Sequence, residues 1–423
     1  MKSMSRWEPI TSIDIGNHSI KGVVVNDTNE GKEVVAYSTI KAKGIESGDI
    51  KDANALNESM ENLIENLEEQ VGKNLKDNFL ISSSIGNFKF QEIIEELILV
   101  EGDNAVTVNE KHVEELRENV LKTVLGDSNS VYHSYIKKYI LDGNKIVFNP
   151  VSMNARRLEG AYSFIIGDSV HRSSVDYATR KTIGEAEYFI SPVSASEAVL
   201  TSSEKDSGVV HVDLGYHTTV VTVFLNNAPI RFERLSKSIK HVVFDIAKVL
   251  KTSVNEAERL LKIYGVADYR NIEPGIIEYK ALDNRTTLET SRELLARIIY
   301  ARLREIFLNV RKVYRNVIFD YSEFRDLGIP GGIVLTGGGA KILKITDVAS
   351  DVLKSSVRVG SFVNIEEFQI EENEQILTDP QFAAVFGNIL QYEKKENIEI
   401  FQKKSRKNSF GFGEILRKLF KGE

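Results

Sequence analysis

The sequence has no cysteine. Disulfides, thiolate metal sites and cysteine nucleophiles are therefore excluded. Long apolar runs are missing too. None approaches the ~20 residues that a helix needs to cross a bilayer. The first ten residues, MKSMSRWEPI, hold no apolar stretch of the kind found in a secretory signal, so a cytoplasmic protein is expected. Positive charge is in deficit. The net charge of −7 at pH 7 argues against a general nucleic-acid binder, and no nucleic-acid partner is expected.

What is present is ordinary in bulk and unusual in places. At 423 residues the chain is too long for one compact core, so two or more lobes are expected. The charge is unevenly placed. Residues 401–423 hold seven lysines and arginines against two glutamates, a local +5, which leaves −12 on the rest. An acidic body with a basic tail points that tail toward an anionic surface.

One motif occurs twice. Ser12-Ile-Asp-Ile-Gly-Asn-His-Ser-Ile-Lys-Gly and Val210-His-Val-Asp-Leu-Gly-Tyr-His-Thr-Thr-Val both read apolar, Asp, apolar, Gly, any residue, His, Ser or Thr. Each continues into a β-branched run, so each is read as strand, tight turn, strand. Gly16 and Gly215 let the turns fold tightly, so that the backbone of Asn17, His18 and Ser19, and of Tyr216, His217 and Thr218, can face an anion. Asp14 and Asp213 stand where the first strands end, where a carboxylate can hold hydrated Mg²⁺ beside phosphates. One such turn is common. Two imply two similar lobes, each offering a hairpin to a shared cleft.

A third element is Gly332-Ile-Val-Leu-Thr-Gly-Gly-Gly-Ala340, a short buried strand ending in Gly337, Gly338 and Gly339, with Lys341 next. Such a strand end lets a flat ring or a phosphate rest on bare backbone. Residues 255–265 read as a helix closed by a glycine, with Glu258 and Lys262 one turn apart on one face.

This set, in this order, resembles the actin-like ATPase superfamily. The resemblance implies two lobes, each with a mixed α/β sheet flanked by helices, and ATP with Mg²⁺ in the cleft between them. It implies that Lys21 reaches the phosphates, that Glu258 and Lys262 meet the ribose, and that Glu197 in Ser194-Ala-Ser-Glu-Ala-Val-Leu200 orients the attacking water. Turnover is left open, as weak ATPase activity at most. Second loops of the superfamily carry glycines where Tyr216 and His217 stand, and side chains there would require a backbone costly for non-glycine residues. His18 and His217 read either as a catalytic pair or as polar loop residues beside phosphate.

The detailed resemblance is to FtsA, the bacterial cell-division family. It implies lobe 1 over 1–84 and 162–200, interrupted by an α+β insert at 85–161 used in protomer contacts. Lobe 2 would comprise 201–230 and 306–391, with a smaller partner-binding part at 231–305, followed by a linker over 392–408. It further implies filaments of the chain itself, other division proteins as partners, and binding of the acidic FtsZ C-terminal tail, for which Arg292, Arg302 and Arg304 on one helix are the candidates.

The tail supports the same direction. Phe412, Ile415, Leu416, Leu419 and Phe420 recur at helical spacing, with Arg417, Lys418 and Lys421 on the other side. A short basic amphipathic helix at 409–423 is a candidate reversible anchor on the anionic cytoplasmic face of the inner membrane. Competing readings are a pilus-assembly relative of the same superfamily and a small-molecule kinase.

Overall fold

The computed structural model describes residues 9–28, 31–46, 48–125, 129–270, 272–325, 328–363, 365–370 and 374–393. The linker from 394 onward and the candidate membrane residues Phe412, Ile415, Leu416, Leu419 and Phe420 lie outside the described residues.

Two sheets repeat one plan. In the first, Ala186–Ile190, Phe79–Ser83 and Ile10–Ile15 run parallel, and Ser19–Thr28 and Gly31–Lys41 follow antiparallel. In the second, Val357–Val359, Ile333–Thr336 and Val209–Leu214 run parallel, and Thr219–Leu225 and Ala228–Leu235 follow antiparallel. Both sheets are covered on two faces, which is why their strands are near-continuous β-branched runs. In Ser19–Thr28, Val23 and Val25 pack on one side, while Ile20 and Val24 pack on the other with the helix Ala53–Val71. That helix starts where Asp52 accepts from the amides of Asn54 and Ala55, and it ends at Gly72 with φ 70°.

The insert is a four-stranded antiparallel sheet with the helix Glu110–Leu125 on it. Its central strand, Arg157–Asp168, pairs with Phe88–Ile98 and Asn129–Leu141 along its length. The expected boundary between 161 and 162 therefore falls inside a strand that belongs to the insert. The small part of lobe 2 is built from the helices Ile239–Leu250 and Val254–Tyr264, the hairpin Ile276–Lys280 with Thr287–Ser291, and the 29-residue helix Arg292–Asp320. The expected boundary between 305 and 306 falls within that long helix, so the two parts of lobe 2 share it.

Two helices cross between the lobes. Every residue of Ser191–Val199 is buried. The helix at 383–393 lies against it and reaches lobe 1, where Ser12 Oγ donates to the Val385 carbonyl at 2.7 Å and Asn388 Nδ2 donates to Ser12 Oγ at 3.1 Å. Gln391 Nε2 donates to Ser194 Oγ at 3.0 Å, and Glu393 pairs with Lys32 at 3.2 Å. The helix thus includes Tyr392 and Glu393, two residues that the expected linker over 392–408 would have claimed.

Candidate functional site

The repeated motif forms two matching hairpins. In the first, the Gly16 amide donates to the Ser19 carbonyl at 3.1 Å; in both, a Cβ on the glycine would stand 2.8 Å from the carbonyl oxygen of Ser19 or Thr218. Neither Tyr216 nor His217 has a positive φ. The expected backbone cost of side chains at these positions is absent, because this turn is made in ordinary backbone geometry.

The parallel neighbour sets a hydroxyl opposite each aspartate. Ser82 is in register with Asp14, and Thr336 with Asp213. Ser82 Oγ donates to Asp14 Oδ1 at 3.3 Å, and Thr336 Oγ1 donates to Asp213 Oδ1 at 3.4 Å. Asp14 also accepts from Ser191 Oγ at 2.6 Å and from Lys21 Nζ at 3.1 Å. Lys21 is the cross-strand partner of Asp14, whereas Asp213 faces Val220. The cleft therefore has one lysine for two carboxylates. Burial, and then the negative charge of Asp14, push the Asp213 carboxyl up to about 7, with Lys21 and Thr336 opposing. The two aspartates thus stand near enough for the charge of Asp14 to act on Asp213. Ser82, Ser191, Thr336 and His211, whose Nε2 lies 2.8 Å from Thr336 Oγ1, were not expected as site residues. Thr336 and His211 sit inside the quoted motifs. Ser82 and Ser191 carry no local signal, since only strand register and the helix start bring them to Asp14.

The two turns touch. The His18 ring stacks on the Tyr216 ring with centroids 4.4 Å apart and planes 28° apart. Tyr216 OH donates to Glu258 Oε1, and His18 Nε2 lies 4.0 Å from Glu258 Oε2. Burial lowers the His18 pKa; Glu258 opposes this, and Lys41, Lys21 and Lys262 add to it. Burial also holds His217 down at about 4, helped by Lys240, His18, His241 and Arg234. Cationic groups thus border both turns, which suits an anion. The Tyr216 ring covers one face of His18 and lies 5.2 Å from the His217 ring, so the three rings form one group at the turns.

The glycine-rich strand end lies beside Asp213. Gly337 has φ 78°, and a Cβ there would come within 2.5 Å of Asp213 Oδ1. Gly338 is open on its Cβ side, and Gly339 packs on Ile239. Lys341 Nζ pairs with Asp379. Glu258 is half-buried in the helix Val254–Tyr264, and Lys262 is exposed one turn on. Two carboxylates, one lysine and an open glycine fit a nucleotide whose metal is held mainly by water and phosphate. Among the described residues no cluster of three or more His, Asp or Glu stands ready to hold a metal by itself.

Comparison with known proteins decides the family. The family described as "Cell division protein FtsA" matches residues 210–387, and the one described as "SHS2 domain inserted in FTSA" matches residues 94–166. The chain belongs to the FtsA family. It is 26% identical over 408 residues to the cell division protein FtsA of Borreliella burgdorferi, covering 94% of both chains. It is 27% identical to that of Bacillus subtilis, covering 85% of this chain and 80% of the relative. The fold is that of actin-like ATPases. A PilM-PilN type IV pilus biogenesis complex matches with TM-score 0.62 at 15% identity, covering 91% of this chain and 99% of the other. MreB5 of Spiroplasma citri, bound to AMPPNP, matches with TM-score 0.54 at 13% identity over 93% and 98%.

Two expectations for this FtsA-family chain change. Glu197 does not present an open carboxylate to the cleft. It is buried in an ion pair with Lys205, Nζ to Oε2 2.9 Å, and its charge is felt by His133 and Tyr135 of the insert. The three candidate arginines do not form one patch either. Arg302 is committed to both oxygens of Asp245, at 2.6 and 3.0 Å, and to Glu305. Arg304 is exposed, and two residues along a helix point to different sides. Arg292 packs beside Gly275, with its Nε buried.

Proposed function

We propose that this chain is an ATP-binding member of the cell-division apparatus that polymerises on the cytoplasmic membrane and tethers FtsZ filaments to it. The observation that carries the nucleotide part is the facing pair of hairpins, with Asp14, Asp213 and Lys21 acting on one another in one cleft. Mg²⁺ bound through water would be accepted by the two carboxylates, and it would draw the Asp213 proton off. Lys21 would supply positive charge to the phosphates, and Gly338 would leave room for the adenine. AMPPNP in an MreB5 of the same fold is in line with this.

The membrane part rests on the sequence of 409–423. Partial burial of five apolar side chains plus ~1 kcal/mol for each nearby Lys or Arg gives one tail weak, reversible binding. Tails held in a row on a filament bind far more firmly, since each later contact is intramolecular. Filament formation therefore makes weak anchors add. The FtsZ contact is assigned to the small part of lobe 2, with Arg304 as the exposed cation left for an acidic tail.

The test is co-sedimentation of the intact chain and of FtsZ with liposomes rich in anionic lipid, with MgATP. Both proteins should pellet together, and the chain lacking residues 409–423 should leave both in the supernatant. Equal pelleting by the truncated chain would reject the anchor.

A further inference from the structure

The gap between the two hairpin turns, where the nucleotide reading needs phosphates, is filled by the chain's own rings. Tyr216 comes from lobe 2 and His18 from lobe 1, and they stack face to face at 4.4 Å. The stack is held from the side. Glu258, on the helix Val254–Tyr264, accepts the Tyr216 hydroxyl and lies 4.0 Å from His18 Nε2. A second tie spans the lobes nearby, where Arg234 Nη1 donates to the Gly86 carbonyl.

We propose that Tyr216 is the residue that sets the nucleotide affinity of this cleft, by clasping His18 and Glu258 across the phosphate gap until a nucleotide displaces it. Three observations meet at this one side chain. Its ring occupies the gap. Its hydroxyl uses Glu258, the carboxylate otherwise available to a ribose. Its position is the second residue of the turn that should cradle the phosphates. A phosphate group cannot share the gap with two stacked rings, so binding must break the stack and release Glu258 together. The apparent affinity then equals the intrinsic affinity reduced by the small fraction of molecules with the clasp open.

The inference rests on the nucleotide reading above and deepens it, so its test carries one arm that needs no nucleotide. Because the chain has no cysteine, Glu65→Cys and Lys248→Cys place one spin label on each lobe without background. Both positions are exposed. In the nucleotide-free protein the label distance should be short and narrow; in Tyr216→Gly it should lengthen and broaden. In parallel, equilibrium titration with a fluorescent ATP analogue and Mg²⁺ should give Tyr216→Gly an affinity about tenfold tighter, the scale set by one hydrogen bond to a charged group. Tyr216→Phe keeps the ring and loses the hydroxyl, so it should fall between the two. Unchanged or weaker affinity in both variants, with wild-type binding intact, overturns the clasp alone. An unchanged label distance overturns it as well. If no variant and no wild type takes up nucleotide, the ATP reading fails and takes the proposal with it.

Discussion

Gly387 rests on the carbonyl oxygen of Ser194, so closely that a Cβ at 387 would stand 1.7 Å from that oxygen and 2.4 Å from its carbon. This is the crossing of the two helices that join the lobes. Gln391 and Ser194 are hydrogen-bonded one turn further on. The lack of a side chain at residue 387 therefore lets the two helices come this near, and with it sets how the lobes sit.

Backbone cannot yield as a side-chain tip can, so Gly387→Ala should push the helices apart. A loss of about 1–3 kcal/mol or more is expected from such overpacking. Denaturant unfolding of the nucleotide-free protein measures it. A wild-type midpoint in Gly387→Ala would mean that the two helices do not meet at the Ser194 carbonyl.

Asp213 gives a pH dependence of known sign. Burial and the charge of Asp14 raise its pKa to about 7 in the folded protein, against an ordinary 3.8. The folded state therefore holds a proton that the unfolded chain has released between these values. Stability from this group is complete below 3.8 and is lost as pH rises toward 7. Asp213→Asn removes that component, so the variant should gain on the wild type as pH rises from 3.8 to about 7. Mg²⁺ competes with the proton, so Mg²⁺-dependent nucleotide binding by the wild type should tighten over the same rise in pH. Parallel stability profiles of the two proteins would contradict the raised pKa.

Lys205 and Glu197 form a buried pair with both side chains under a tenth exposed. Removing one partner strands a charge, and Lys205→Met should cost about 3–5 kcal/mol. The double variant Lys205→Met with Glu197→Leu should recover much of that loss. If Glu197 instead orients water, Glu197→Gln should abolish single-turnover hydrolysis while leaving stability untouched. Stability and turnover measured on the same protein separate the two roles.

Arg302 and Arg304 should behave as opposites. Arg302→Glu sets a third carboxylate beside Asp245 and Glu305, and loss of the paired bonds alone should cost about 2 kcal/mol. Weaker binding of an acidic peptide by that variant would reflect damage to the helix. Arg304→Glu should keep wild-type stability and weaken binding of an FtsZ tail peptide. Unaltered peptide affinity in Arg304→Glu would remove that residue from the contact.

The sequence alone determined the two hairpins, the glycine-rich strand end and the lobe plan they imply, because turn chemistry and β-branched runs act within a few residues. It also determined the basic amphipathic pattern of 409–423. It gave no warning of Lys205 beside Glu197 or of Asp245 beside Arg302, which lies 57 residues away. Nor did it place Ser82 opposite Asp14, or bring His18 onto Tyr216. Those choices belong to the tertiary structure. A buried charge takes whatever partner the packing brings within reach, and packing is settled by strand register and by helices that cross from distant parts of the chain.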